Sequence, residues 1–406
     1  MFFKIAVRNI FAYKKRSIIT VILLACTTAL LVFSSAFMDG SHARMIQNSV
    51  EIYPGYVQIT HKGFRENPSL EKLIFDAAHV TMSLKDFPGI EVLAPRFESY
   101  VLFASENKAV GGMLTGIDPE KEMKISRLAA SLQKGSYLTS ADNALVYMGS
   151  ELARRLQVGV GDEVAFVGTG ADYSFAADTL TVKGIFQTGL FDFDSRASFV
   201  AKLYFGHMMA AKNYATHFIV LPARPSGADA LAAAIGARLG PEYQAASWQQ
   251  TMAGLVQAMQ VDSIFGYITL AIIFMVIFFV VMIYTLLAVY ARVREIGILR
   301  AVGTEPGQVL SMLLLESVLL GLVSVLLGGL TGGVLAYYFH VNPIVFSGFE
   351  EQFKQYGLAL TAMPTTFAPL VIIRDMAVMF VLSVGATLYP IFKVNGFKPI
   401  EAIHHV

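Results

Sequence analysis

Four long apolar runs, at residues 17–38, 263–290, 308–339 and 368–392, constrain this 406-residue chain more than any other feature. At about 1.5 Å of rise per helical residue, each is long enough to cross a hydrocarbon layer of roughly 30 Å. Hydrophobic residues make up 55% of the chain and charged residues 15%, a balance too apolar for an ordinary soluble enzyme. An α-helical membrane protein with four transmembrane helices is therefore expected.

Lys4, Arg8, Lys14, Lys15 and Arg16 precede the first run without acidic neighbours, which keeps the N-terminus in the cytoplasm. Residues 1–16 also interleave Phe3, Ile5, Val7, Ile10 and Phe11 with those charges, as an interfacial helix requires. The run 17–38 exceeds the roughly 7 to 15 residues of a signal-peptide core, so a retained anchor is expected. Four crossings place 39–262 and the short loop 340–367 outside, and 291–307 and the tail 393–406 inside. Lys393 and Lys398 against Glu350, Glu351 and Lys354 agree with that orientation. Arg374 and Asp375 lie adjacent within the last run. A membrane-surface helix ahead of the true crossing is favoured there over a paired polar site inside the bundle.

The segment 39–262 has a mixed α/β pattern and is long enough to bury a core of its own. Strands are predicted at 55–60, 89–97, 144–149, 162–168, 179–186 and 216–222, and an alanine-rich helix at 227–240. The expected division is an α/β lobe built from both ends of the segment, with a β-rich lobe inserted between them. Cys26 lies in the first apolar run, so this domain is expected to fold without a disulfide. A net charge of +1 gives no case for nucleic-acid binding.

The loop between the second and third runs carries Arg292, Arg294 and Arg300. Glu295 and Arg300 are suited to pairing with a cytoplasmic partner, Gly297 and Gly303 to close approach or a turn, and Glu305 with Pro306 to starting the next helix. The plainer alternative is a solvated loop whose charges only set topology. Gly328, Gly329, Gly332 and Gly333 form two overlapping small-x-x-x-small pairs. These permit close helix packing, against either a second subunit or the chain's own helices. Glu316 stands alone in the same apolar run, where a structural role near the cytoplasmic edge is favoured over proton coupling.

Asp192 and Asp194 would share one face of a strand, but no His or Cys at useful spacing completes a metal site, and none is expected. The histidines form no H-E-x-x-H, His404 and His405 read as tail residues, and no G-x-S-x-G occurs. No catalytic residue is therefore assigned. Nor does the chain contain G-x-x-x-x-G-K-[ST], the loop that cradles nucleotide phosphates.

AVRNI followed by KKRS, ELARRLQVGVGDEV at 151–164, VKGIFQTGLFDFDSRASFV at 182–200, REIGILRAVGTEPGQV at 294–309 and the terminal YPIFKVNGFKPIEAI together resemble permeases of the MacB/FtsX superfamily of ABC transporters, the LolC/LolE-like branch in particular. The resemblance implies a bacterial inner-membrane protein with an extracytoplasmic MacB-like α/β domain between helices 1 and 2. It implies a second permease subunit, identical or related, and two copies of a separate cytoplasmic ATPase that binds ATP and Mg, with no cofactor in this chain. Arg294, Glu295, Gly297, Arg300 and Gly303 would form the coupling helix. Lipoprotein release is the leading functional expectation, with lipoprotein cargo entering between Ser17–Met38 and Ile264–Tyr290 and passing to a periplasmic carrier. Mechanotransmissive efflux of peptides or drugs, and FtsX-like regulation of a cell-wall hydrolase, are the alternatives.

Overall fold

A computed structural model describes residues 2–106, 108–345 and 362–395. The charges at Glu350, Glu351, Lys354 and Lys398 and the terminal His404 and His405 lie outside the described residues. The chain divides into a helical unit, formed by Met1–Ala43, Met259–Val345 and the segment from Ala362 onward, and an α/β unit over Arg44–Ala258.

In the helical unit, α1 (Phe2–Ala12) is followed after Tyr13 by α2 (Lys14–Val50), whose last turns belong to the α/β unit. Among the described residues, four helices are long and apolar enough to cross a membrane: α2, Ala253–Tyr290, Pro306–Val341 and the last described helix, Pro369–Asn395. Each is longer than the apolar run it matches, although the last begins at Pro369, one residue after its run. Arg374 and Asp375 do not form a separate surface helix, because the last helix is continuous from Pro369 through both residues. Arg374 donates to its own neighbour, Nε and Nη2 lying 3.0 and 2.9 Å from Asp375 Oδ1, while the Asp375 side chain is buried.

The α/β unit holds β1 (Val57–His61), α3 (Ala77–Ser83), β2 (Ile90–Ala104), β3 (Ala109–Ile117), α4 (Pro119–Ile125), β4 (Leu132–Gly135), β5 (Leu145–Gly149) and α5 (Ser150–Leu156). These are followed by β6 (Glu163–Thr169), β7 (Phe175–Phe186), α6 (Phe191–Asp194), β8 (Ala197–Ala201), α7 (Lys202–Met208), β9 (His217–Pro222), α8 (Ala228–Leu239), β10 (Tyr243–Ser247) and α9 (Trp248–Thr251). One sheet runs β10-β1-β9-β2-β3-β8-β5-β7-β4, with β6 bridging β2 and β7. Strands from the two ends of the segment meet, since β1 pairs antiparallel with both β9 and β10. The long β2 joins the halves, its first part pairing with β9 and its second with β3 and β6.

The two larger apolar cores of this unit follow that division. One gathers Val57, Ile59, Phe218, Val220 and Ile235, and the other Phe97, Phe103, Phe166, Leu152 and Phe205. β3 tolerates glycine mid-strand because aromatic rings lie on its backbone. A Cβ at Gly116 would stand 2.7 Å from Phe205 Cβ, and one at Gly112 would stand 2.9 Å from the Phe103 ring. β2 also carries a fully buried ion pair: Arg96 Nε and Nη2 donate to the two Glu122 oxygens at 3.0 and 2.5 Å, and Nη1 donates to the Tyr53 carbonyl at 2.7 Å. The guanidinium also stacks 4.0 Å from the Tyr53 ring centroid, so β2, α4 and the chain leaving α2 are pinned together.

Asp192 and Asp194 lie on a short helix, not a strand, and so do not share a strand face. Asp194 is buried and accepts from the Thr188 amide and hydroxyl and from the Gly189 amide at 2.7–3.2 Å. Its carboxylate closes the turn ahead of α6. Burial nevertheless raises its pKa above the ordinary value, the Thr188 and Gly189 hydrogen bonds only partly opposing it.

Candidate functional site

α10 (Ala253–Tyr290) is joined to α12 (Pro306–Val341) by the nine-residue α11, Val293–Ala301. Pro306 stands at the start of α12, and Gln308 Oε1 accepts from the Glu305 amide at 3.2 Å, so the helix begins where the sequence signals place it. Gly303 turns the chain with φ at +105°, a conformation that side-chain-bearing residues avoid.

α11 has two faces. Val293, Ile296 and Gly297 are buried, and Ile296 packs with Val289, Val309, Leu313 and Ile391. On the other side Arg294, Ile298, Leu299 and Val302 are exposed, Val302 at 83%. Glu295 is half-exposed and held from within the chain. It accepts from Tyr13 Oη at 2.5 Å and from Arg292 Nε at 3.3 Å. Arg300 is partly buried and lines a small recess with Pro306, Leu310 and Ile391.

Beneath α11 lies a cluster that single-residue reasoning did not assemble. Glu316, almost fully buried on α12, accepts from Arg16 Nη2 of α2 through one oxygen and from Arg292 Nη1 at 3.1 Å through the other. The Tyr13 ring stacks against the same cations, 4.8 Å from the Arg292 guanidinium and 5.7 Å from that of Arg16. Neither lone charge is thus left bare in an apolar setting, and three elements distant in sequence are joined at one end of the bundle. A cavity of about 50 Å³ opens beside the cluster, with Thr20, Tyr284, Thr285, Ser317 and Thr387 among its lining. That is room enough for water among these polar side chains. Far along α2, His42 Nε2 lies 2.9 Å from Asp262 Oδ2 of α10.

The glycines of α12 pack inside the chain. A Cβ on Gly328 would stand 2.5 Å from the Ala25 carbonyl oxygen, and one on Gly332 2.9 Å from Ala29 Cα, both on α2. Gly329 and Gly333 face the last helix instead, with Met376 Sδ and Ile372 Cδ1 opposite them. The two overlapping pairs therefore serve two neighbours: Gly328 and Gly332 let the α2 backbone approach closely, while Gly329 and Gly333 face side chains of the last helix.

The family described as MacB-like periplasmic core domain matches residues 17–238, and that described as FtsX-like permease C-terminal matches 267–399. Similar curated proteins include the lipoprotein-releasing system transmembrane protein LolC of Xylella fastidiosa, 26% identical over 336 residues and covering 80% of each chain. LolC of Neisseria meningitidis serogroup B is 24% identical over 342 residues, covering 78% of this chain and 79% of its own. Among solved structures, the periplasmic region of MacB from Actinobacillus actinomycetemcomitans aligns with 53% of this chain and 98% of its own, at 13% identity and a TM-score of 0.37. The extracellular domain of the noncanonic ABC-type transporter YknZ from Gram-positive bacteria aligns with 47% and 99%, at 12% identity and a TM-score of 0.34. With the first family matched over more than half of its length and the second over most of the remainder, this chain belongs to the MacB-like periplasmic core domain family and carries an FtsX-like permease C-terminal region.

Proposed function

We propose that this ABC transporter permease of the MacB/FtsX type docks a cytoplasmic ATPase on α11 and passes the resulting motion to its extracytoplasmic α/β domain, releasing lipoproteins from the inner membrane. The observation that carries this reading is the two-faced α11. Its inner face is packed and salt-bridged to the bundle, while Arg294, Ile298, Leu299 and Val302 stand uncovered on its outer face. An exposed apolar patch edged by an arginine is the composition of a protein-binding surface. Arg294, Glu295, Gly297, Arg300 and Gly303 then act in different ways. Arg294 meets the partner, Glu295 and Gly297 hold α11 to its own chain, Gly303 makes the turn, and Arg300 braces the step into α12.

In this reading the N- and C-termini are cytoplasmic, two ATPase copies bind ATP and Mg, and a second permease completes the transporter. The names of the LolC relatives support lipoprotein as cargo. The test is purification of the full chain from its native membrane in mild detergent, with co-purifying proteins identified by mass spectrometry. An ATPase together with lipid-modified protein that leaves on ATP binding supports the reading, and an ATPase without lipoprotein moves the cargo assignment to efflux or regulation. Arg294→Glu with Val302→Asp should abolish ATPase co-purification while leaving the chain folded. Undiminished co-purification by that double variant would remove α11 as the docking site.

A further inference from the structure

The parallel neighbours β3 and β8 end side by side, Ile117 opposite Ala201, and both chains leave the sheet there into short helices, α4 and α7. A cavity of about 560 Å³ opens at these carboxyl ends, lined by Asp118, Ser140, Lys202, Leu203, His207 and Lys212 among others. That volume lies within the range of small-molecule sites, and the crevice beyond the carboxyl ends of parallel strands is where open α/β sheets bind ligands. Lys212 is brought to the rim by a tight return of the chain. The Ala211 amide donates to the Gly206 carbonyl at 2.9 Å, and a Cβ on Gly206 would stand 3.2 Å from Lys212 Cα.

The charge in this cavity is unbalanced. Its one carboxylate, Asp118, is already used: Oδ1 accepts from the Lys121 amide at 3.4 Å as the cap of α4, and Oδ2 lies 3.8 Å from Lys121 Nζ. Lys202 is left mostly buried without a hydrogen bond or ion pair to any described residue. Burial lowers its pKa to about 8, with Lys121 adding to the effect and Asp118 opposing it. An amine in that position gains from an anion that enters the cavity. The cationic lining is lysine and not arginine, so it offers movable point charges with a serine hydroxyl beside them, which suits a multi-oxygen tetrahedral anion better than the planar fork of a carboxylate.

We infer that this cavity of the α/β unit binds a phosphoryl group, held by Lys202 and Lys212 with Ser140 as a further donor. The group is carried either by a free phosphate compound or by a phospholipid headgroup. The inference is independent of the coupling role of α11.

The full chain in phospholipid-free maltoside detergent, with its lysines isotopically dimethylated, would be titrated with inorganic phosphate, glycerol 3-phosphate and glycerophosphoglycerol, following the Lys202 resonance by NMR. Saturable shifts are expected. Tighter binding of the monoesters or of inorganic phosphate assigns a soluble source, and tighter binding of the diester assigns a lipid headgroup. Lys202→Gln should weaken binding by about tenfold or more, the range of a lost charge-assisted hydrogen bond, followed for the variants by calorimetry. Lys212→Gln should weaken it less, and Lys85→Gln, an exposed lysine outside the cavity lining, should leave it unchanged. No saturable response up to roughly 10 mM, an affinity of only about −3 kcal/mol, would overturn the proposal. So would an equal response to acetate, or undiminished binding by both cavity variants.

Discussion

Removing the Glu316 carboxylate tests whether the cluster beneath α11 holds the bundle together or merely decorates it. In Glu316→Ala, Arg292 and Arg16 lose their shared acceptor in a setting where the carboxylate side chain is only 4% exposed and that of Arg292 only 7%. Breaking one side of a buried pair costs about 3–5 kcal/mol, because the partner's charge stays desolvated. Two features reduce that here: Arg292 keeps Glu295 at 3.3 Å and the Tyr13 ring, and Arg16 is 21% exposed and can reach toward water. A loss of about 2–4 kcal/mol is therefore expected. The same logic says that the cluster's net worth is small, so replacing all three charges by apolar residues, Arg16→Met, Glu316→Leu and Arg292→Met, should return to within about 1 kcal/mol of the parent. Steric trapping in detergent, with binding tags on α2 and α12, reads both numbers as shifts in the unfolding equilibrium. ATPase stimulation in the reconstituted transporter should fall in both variants, because the triple variant regains stability without regaining the link to α11. A Glu316→Ala variant within about 0.5 kcal/mol of the parent, the range of ordinary surface substitutions, would refute the argument. A triple variant as unstable as the single one would refute its second half.

The glycine stripe gives a paired expectation. Gly328→Ala presses a methyl onto the Ala25 carbonyl oxygen at 2.5 Å and should cost about 1–3 kcal/mol, whereas Gly333→Ala meets only Ile372 Cδ1 at 3.7 Å and should be neutral or gain up to about 1 kcal/mol in helix propensity. The same trapping measurement compares them, and equal costs would mean that contact with α2 does not set the packing. In the α/β unit, Glu122→Ala strands the fully buried Arg96 and should lower stability by about 3–5 kcal/mol, seen as a large drop in melting temperature. Acidification should also weaken this unit through His217, whose imidazole is held below its ordinary value by burial, with Arg96 adding to the effect and Glu98 and Glu122 opposing it. The unfolded chain then takes up a proton that the fold refuses, so stability is present above about pH 6.5 and is lost as the pH falls below it. His217→Gln should flatten the stability profile below about pH 6.5. An unchanged profile would place the acid sensitivity elsewhere.

The long helices were legible because crossing a membrane demands apolar length, a property carried by consecutive residues. The same holds for the six predicted strands, which overlap β1, β2, β5, β6, β7 and β9, five of them starting one or two residues early. β3 was not predicted: it carries Gly111, Gly112 and Gly116, and the Phe103 and Phe205 rings lie on its backbone at Gly112 and Gly116. β10 and β8, with sequences YQAAS and ASFVA, are specified by their neighbours more than by their own composition. The glycine spacing on α12 announced close packing, but nothing in a spacing says which helix lies opposite. Arg16 and Glu316 were legible separately, one as a topology signal and the other as an awkward carboxylate. Their pairing spans 300 residues and exists only in three dimensions.

That pairing also bears on how α11 would transmit force. An apolar contact such as Ile296 on Leu313 is non-directional and lets a helix slide by a turn at little cost, whereas two guanidinium groups sharing one buried carboxylate fix both distance and direction. Arg292 sits at the joint between α10 and α11, Arg16 near the start of α2 and Glu316 on α12. In the proposed function, a push on α11 would reach α2 and α10, the two helices that continue in sequence into the α/β unit. The stability expected from the all-apolar replacement and its expected failure in coupling follow from the same fact: burial can be replaced by any residue of similar volume, but direction cannot.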